Sequence, residues 1–348
     1  MFDYSQTLIS QVSVHQVGNK NNDENINISR APLNIDDTVL EDLLRKYFLN
    51  SFTTPELYSF TSSTNDHRLN DVYTFARNIF SDPQSFHIQT INLAKHLYES
   101  SYHPNIKAGD FYIALFTNVR LHNEITDVVG LFKSETKDTF LKLLQAKEGF
   151  EMQHEEGIDI KKLDKGCLIF NAAEDEGFKV CIIDKANKGG EAQFWKDQFL
   201  NLKPVEDDFH HTKNFMSFTK SFVADRLHEE FEVSKAEKVD FLNRSMDYFK
   251  HKENFDEQEF ATEVFHDENV IKSFLRYKDD FQQEKDIALE GEFGISAPAV
   301  KKQQRVFKSV LKLDKNFHIY IHGDKQLIEK GTEPDGRKFY KIYYTEEQ

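Results

Sequence analysis

A chain of 348 residues with 39% apolar and 30% charged side chains is long enough to bury a large core, to which its 32 phenylalanines should contribute heavily. No apolar run approaches the roughly 20 residues that span a bilayer, and the first residues lack the basic and apolar regions of a signal peptide. We therefore expect a globular protein of the cytoplasm with no membrane partner.

The formal net charge of −15 is unevenly distributed. Residues 1–204 carry about −8, residues 205–295 about −11 and residues 296–348 about +4. The overall field repels phosphate, but screening over roughly 8 Å at physiological salt lets a local basic patch act on its own. The basic segment at the C-terminus therefore matters more for an anionic partner than the total does.

The first 204 residues predict an α+β domain. Residues 8–28 indicate a hairpin, and helices are expected after Asp36 or Asp37 and over residues 69–80 and 83–101, each with one apolar stripe toward the core. Buried strands are expected near 111–116 and 128–135. The fold class is α+β, with a mixed or antiparallel sheet covered by helices.

Residues 165–203 form the segment around which this domain is expected to be organised. Two apolar runs flank the polar sequence AAEDEG and predict a β-hairpin, which leads into an aromatic helix containing Phe194, Trp195 and Phe199. Cys167 and Cys181, the two cysteines, lie within the predicted strands. In a reducing compartment we interpret them as packed thiols in preference to a disulfide.

The sequence predicts two further regions after residue 204, an acidic helical region and a basic C-terminal segment. Residues 205–292 are acidic and keep a helical period without strand-like runs up to residue 289, which predicts three or four helices. Residues 293–348 predict a basic helix capped by Ser296, with Val300, Phe307, Val310 and Leu311 along its apolar stripe, and then a small antiparallel sheet.

This basic segment contains the candidate site, a nucleic-acid-binding surface. Its first group of cations follows the spacing of one helix side, and its second group is interleaved with aromatic residues. The candidate residues are Lys301, Lys302, Arg305, Lys308, Lys312, Arg337, Lys338 and Lys341. Lysines neutralise phosphate and exposed rings stack on unpaired bases, although a solvated lysine-rich helix face would have the same pattern.

No known catalytic or cofactor motif occurs. A Walker loop, a Rossmann glycine pattern, a CxxC pair and an HExxH helix are all absent. His318 and His322 lie in a predicted strand, where four residues span about 13 Å and cannot share one metal ion. We therefore expect no enzyme activity, no catalytic or metal-binding residues and no cofactor.

The order of the segments resembles the bacterial 37-kDa nucleoid-associated protein family. The matching sequences are VSVHQV, GDFYIALF, LIFNAAEDEGFKVCIIDK and FWKDQFLN, followed by the helical region. This resemblance implies a location with the chromosome in the cytoplasm and DNA binding without enzymatic turnover or cofactor.

Three hypotheses follow. The first is a nucleoid-associated protein that binds DNA weakly, without sequence preference, through its basic C-terminal face. The second is an interaction module whose acidic helical region docks on a chromosome-associated protein, so that DNA contact is indirect. The third, a metal-dependent nuclease, has the least support. Homo-oligomerisation stays open.

Overall fold

The computed structural model describes residues 2–53, 56–122, 124–147, 149–185, 194–304, 307, 310–313, 317–320 and 327–346. The chain divides into two compact units, Met1–Val205 and Glu206–Gln348. This division places the predicted helical region and the basic segment in one unit. The finer division into three domains stays a prediction.

Helices and strands follow one another in an irregular order along the chain. The helices are α1 Thr38–Leu49, α2 Asp71–Ser81, α3 Phe86–Ser100, α4 Asp208–Ser221, α5 Leu227–Glu230, α6 Lys235–His251, α7 Glu257–Phe265, α8 Glu268–Lys285 and α9 Ala297–Gln303. Two wider π-helical segments span Phe194–Leu200 and Phe222–Arg226. The strands are β1 Phe2–Asp3, β2 Leu8–Val17, β3 Ile26–Asn27, β4 Tyr58–Phe60, β5 Gly109–Leu121, β6 Glu124–Ser134, β7 Asp138–Ala146, β8 Gly149–Gly157, β9 Lys165–Phe170, β10 Lys179–Asp184, β11 Leu202–Pro204, β12 Asn254–Asp256, β13 Glu292–Gly294, β14 Val310–Leu313, β15 Phe317–Tyr320, β16 Ile328–Thr332 and β17 Lys338–Ile342.

The first unit is built on a nine-stranded sheet, which confirms the α+β class. Its strand order is β11-β4-β10-β9-β6-β5-β2-β3, with β1 beside β5. All pairs in this sheet are antiparallel. Short connections join β5 to β6 and β9 to β10, the second pair being the predicted hairpin, whereas β2–β5 and β6–β9 are joined by long segments.

Helices cover both faces of this sheet. On one face, α2, α3 and the aromatic helix Phe194–Leu200 pack over alternate residues of the central strands. On the other face, Tyr47 and Phe48 of α1 pack over the intervening residues, and Phe48 stacks on Phe132 with ring centroids 4.3 Å apart. Because both faces are covered, β9 is buried at every position, which explains the apolar sequence from Cys167 to Phe170.

The two cysteines are free and buried, as predicted. Cys167 faces the cluster beneath α2 and α3, whereas Cys181 faces the cluster beneath α1. The sheet therefore separates them, although their strands are neighbours. Burial, with a smaller effect of Cys181, raises the pKa of the Cys167 thiol, which keeps it protonated and unreactive.

The apolar stripe predicted for α1 is correct only over its second half. Tyr47 and Phe48 are buried, but Val39, Leu40 and Leu43 are exposed, so the expectation of a continuous core face is wrong. Asp37 caps the helix by accepting a hydrogen bond from the backbone N–H of Val39, as expected. Periodicity placed these residues on one side of a helix, but only the C-terminal turns of α1 lie over the sheet.

The sheet contains a buried network of charges. Lys133 on β6, Lys165 on β9 and Asp184 on β10 are direct cross-strand neighbours, and both lysines are at most 2% exposed. Two like charges side by side repel each other. Glu135 relieves this repulsion, since its Oε1 lies 3.0 Å from Nζ of Lys133 and 3.9 Å from Nζ of Lys165. Asp184 completes the network at 3.0 Å from Lys165.

His15 of β2 is also buried, beneath α3. Its Nδ1 accepts a hydrogen bond from the backbone N–H of Ser29 at 3.1 Å, and its Nε2 lies 3.0 Å from Oγ1 of Thr90. These contacts assign the proton of the neutral ring to Nε2. Burial, with a smaller effect of His87, lowers the pKa of His15 to about 4. The structure therefore makes it a hydrogen-bonded core residue.

The second unit is a helical cluster with a core of aromatic rings. Rings from α4, α6 and α7 meet around Phe255, which lies 4.2 Å from Phe215 between ring centroids. Phe274 of α8 packs on Phe215 and Phe260 of this cluster. The predicted helical character of residues 208–289 is confirmed, but the region has five α-helices, α4 to α8, instead of three or four. The short strand β12, which pairs with β13, was not predicted, and it places Phe255 opposite Phe293.

Replacement of one buried carboxylate tests the charge network. Glu135→Gln should lower the free energy of unfolding of the first unit by about 3 to 5 kcal/mol, because it leaves two buried lysines with one carboxylate. Urea denaturation followed by the emission of Trp195, the single and fully buried tryptophan, measures this unit alone. Glu174→Gln removes a half-exposed pair with Arg77 and should cost less than about 1 kcal/mol. Equal losses in the two variants would contradict the account.

The pH dependence of stability tests the state of His15. A pKa near 4 in the fold lies below the ordinary value of 6.5, so the unfolded chain binds more protons between these two values. This contribution to stability is complete above about pH 6.5 and is lost as the pH falls toward 4. In His15→Gln the fall in unfolding free energy across this window should be smaller by about 3 kcal/mol, measured by urea denaturation at each pH. Parallel curves for variant and wild type would rule out this role.

Candidate nucleic-acid interface

The basic segment begins with α9, which packs on the helices of the second unit. Val300 is buried in the aromatic core, and Pro298 lies in the first turn, as predicted. Lys301 and Lys302 are exposed in the last turn, where positive charge favours the helix dipole. Nζ of Lys302 lies 5.5 Å from the ring centroid of Phe209. Both predicted cations thus lie at the surface.

The helix is shorter than predicted, and this changes the position of Lys312. α9 ends at Gln303, and Val310–Leu313 forms strand β14, paired with β15. Lys312 lies opposite His318 in this ladder, so it does not continue a row of cations along one helix. The apolar residues of β14 and β15 explain the difference, because Leu313 and Ile319 pack against Val239 of α6. Arg305 and Lys308 lie outside the described residues.

A second hairpin, β16–β17, carries the other predicted cations. The predicted turn at EPDG is formed, with Gly336 at a φ of +87°, a conformation that favours glycine. In the ladder Lys341 lies opposite Glu329, and Lys338 lies opposite Thr332. The expected aromatic and basic tail is therefore two separate two-stranded sheets, β14–β15 and β16–β17.

The two sides of β17 differ in what they contact. Tyr340 and its neighbour Ile328 pack against Val239, which attaches this hairpin to α6. Phe339 and Lys341 alternate with Tyr340 and therefore project on the other side. Nζ of Lys341 lies 4.8 Å from the ring centroid of Tyr343, and this contact, together with Glu329, raises the pKa of Lys341. A charged amine and two exposed rings thus share one surface.

The predicted cations of α9 and of this hairpin have few ion-pair partners among the described residues. Arg337 pairs with Asp335 of the turn at 2.7 Å, with the arginine side chain 81% exposed. Lys341 approaches Glu329 only to 3.9 Å, and both side chains are more than half exposed. Within the described part of the chain, Lys301 and Lys338 have no ion-pair partner. Exposed pairs of this kind contribute about 0–1 kcal/mol, so phosphate can replace the carboxylates.

One exposed cation was not predicted. Lys330 lies on β16 opposite Tyr340. Together with Lys338 it projects on the side of Tyr340, opposite to the side that carries Phe339 and Lys341. The sequence contained a signal for Lys330, because it lies in the strand sequence LIEKG, which precedes the aromatic strand β17 across the EPDG turn.

Among the described residues, no group of three His, Cys, Asp or Glu side chains is arranged to hold a metal ion. In that same part of the chain, no helix combines the length and apolar character needed to cross a bilayer.

Comparison with known proteins agrees with the resemblance drawn from the sequence. No curated protein matches the chain. The family model described as nucleoid-associated protein YejK (NA37) matches residues 13–337, which include nearly all of both units. The chain therefore belongs to the nucleoid-associated protein family represented by that model.

Proposed function

We propose that this protein binds DNA weakly and without sequence preference through its basic C-terminal face, in the cytoplasm at the nucleoid, and that it catalyses no reaction. The proposed contact residues are Lys301, Lys302, Arg305, Lys308, Lys312, Arg337, Lys338 and Lys341. The observation that carries the proposal is the exposed surface at β17, where Lys341 lies beside Tyr343 on the side of Phe339 and, among the described residues, has one ion-pair contact, with Glu329 at 3.9 Å.

The chemistry of this surface supports phosphate contact. Lysine and arginine side chains neutralise phosphates and release counterions, whichever bases are present. Phe339 and Tyr343 are 37% and 40% exposed, so they are available to stack on bases of a single strand. Family membership supports association with the chromosome.

The local charge explains why the overall charge does not prevent binding. The segment 296–348 carries about +4 within a protein of net charge −15. At physiological salt the acidic remainder is screened beyond about 8 Å, whereas direct contacts are not. We therefore expect little long-range attraction between the protein and DNA, and binding that depends on a few close ion pairs.

A salt titration tests direct binding. If four cations contact duplex phosphates, the logarithm of the association constant should fall with the logarithm of salt at a slope near −3.6. Retardation of DNA in gels should then weaken roughly 150-fold between about 50 and 200 mM salt. The measurement uses purified protein and DNA fragments of unrelated sequence, which should bind equally. Failure to retard DNA even at low salt would contradict direct contact.

Charge reversal tests the location of the contact. The triple change Lys301→Glu, Lys338→Glu and Lys341→Glu should abolish retardation, because it replaces three attractive contacts with repulsive ones. The matched control reverses three exposed lysines of the acidic helices, Lys250, Lys272 and Lys285, and alters the net charge equally. Retardation should largely persist in the control. Equal loss in both triples would show that only net charge matters.

The second candidate is docking of the acidic helical region on a basic, chromosome-associated protein. One observation favours it: α8 exposes Asp279, Asp280 and Glu284 within a region, residues 205–295, that carries about −11. Complementary charge would then steer a cationic partner to these helices. The same salt titration separates the candidates, since this one predicts no retardation by the protein alone.

A further inference from the structure

The hairpin β7–β8 lies apart from the nine-stranded sheet. Its strands pair with each other from Asp138↔Gly157 to Ala146↔Gly149, and within the described residues neither pairs with another strand. An isolated two-stranded hairpin is only marginally stable in water. A hairpin of this length is therefore expected to be stabilised by covering one of its sides.

One side of the hairpin is apolar and exposed. Cross-strand partners project on the same side, and Leu143 lies opposite Met152, with Leu141 and Phe150 on the flanking rungs of that side. These four residues, here called the hairpin face, are between 61% and 71% exposed. Among the described residues, none of the four belongs to a core cluster.

The opposite side of the hairpin places charged residues beside Phe140 and Leu144. There Lys142 pairs with Glu155 at 3.0 Å, and at the base of the hairpin Asp138 pairs with Lys162 at 2.7 Å. Among the described residues, the charges of that side other than Glu151 are thus paired within the chain itself. They give the hairpin solubility without occupying the hairpin face.

The composition of the hairpin argues against two classes of partner. Glu151, Glu155 and Glu156 lie along β8, so phosphate of nucleic acid or of an anionic membrane would be repelled. A strongly charged protein would find little to pair with, because Glu156 is the one formally charged residue among those that alternate onto the hairpin face. The centre of this face is suited to another uncharged apolar surface.

A second copy of the chain supplies such a surface. In a two-fold dimer the same patch meets itself, so it must be self-complementary, and an apolar patch without central charge fulfils this condition. The four side chains present on the order of 500 Å² per copy. Two copies would bury on the order of 1,000 Å², which reaches the lower limit for a specific interface.

We propose that the hairpin face is the surface through which two copies of this chain associate. The contact is apolar, and the repulsion between two chains of net charge −15 opposes it. Added salt screens this repulsion, so association should strengthen with salt. DNA binding should respond in the opposite direction.

The experiment compares two neighbouring positions on one strand. Met152→Glu places a charge on the hairpin face, whereas Gln153→Glu places the same charge on the opposite side of β8, and both residues are exposed. Sedimentation equilibrium over a concentration series should show wild type and Gln153→Glu passing from one chain to two. Met152→Glu should remain a single chain, and the emission of Trp195 should confirm that it is folded.

Two results would overturn the proposal. One is a wild-type mass of a single chain at all concentrations, and the other is dimerisation of Met152→Glu equal to that of wild type. Hydrogen exchange provides a measurement that needs no variant. Amides of residues 138–157 should exchange several-fold more slowly at concentrations where the mass has doubled, and unchanged exchange there would place the interface elsewhere.

Discussion

The burial of β9 on both faces is the constraint on which the first unit depends. Every residue of this strand is buried, so apolar cover must come from both sides of the sheet. α3 and the aromatic helix supply it on one side and the end of α1 on the other. Because Lys165 is buried with the rest of the strand, its charge needs partners inside the protein, since an unpaired buried cation would strongly lower the free energy of unfolding. Glu135 and Asp184 meet this requirement: Asp184 is its cross-strand partner, and Glu135 follows the end of the neighbouring strand β6.

The sequence predicted elements whose pattern is set by neighbours within a few residues. The stripe of α3, with Phe86, Leu93 and Leu97, is buried as expected. The sequence-based prediction was wrong where contacts between distant residues determine burial. Val39 belongs to an apolar stripe, but its side chain is 64% exposed. Lys312 had helical spacing, yet pairing of β14 with β15 formed a strand. The hairpin β7–β8 was not predicted, because the core does not bury its strands and their many charged and polar residues are also typical of a surface connection.

The candidate interface illustrates the same limit. Composition alone located the basic segment, because a surplus of lysine in an acidic chain is visible without a fold. The arrangement of the cations required the structure, since it depends on which side of β17 faces α6. Attachment through Tyr340 leaves Phe339 and Lys341 on the outer side. The surface that results combines charge with exposed rings, a combination typical of single-strand binding sites.

The two proposed surfaces belong to different units, and this has a consequence for affinity. The proposed DNA contact of one chain would depend on only a few exposed cations in the described part of its basic segment, so we expect its affinity at physiological salt to be low. A dimer formed through the hairpin face would carry two such segments. Once one segment is bound, the second acts at a high effective concentration if the DNA is long enough for both, so apparent affinity exceeds that of either alone. Because salt strengthens the apolar contact and weakens the ionic one, a salt optimum on long DNA, absent on short fragments, would distinguish this coupling from independent binding.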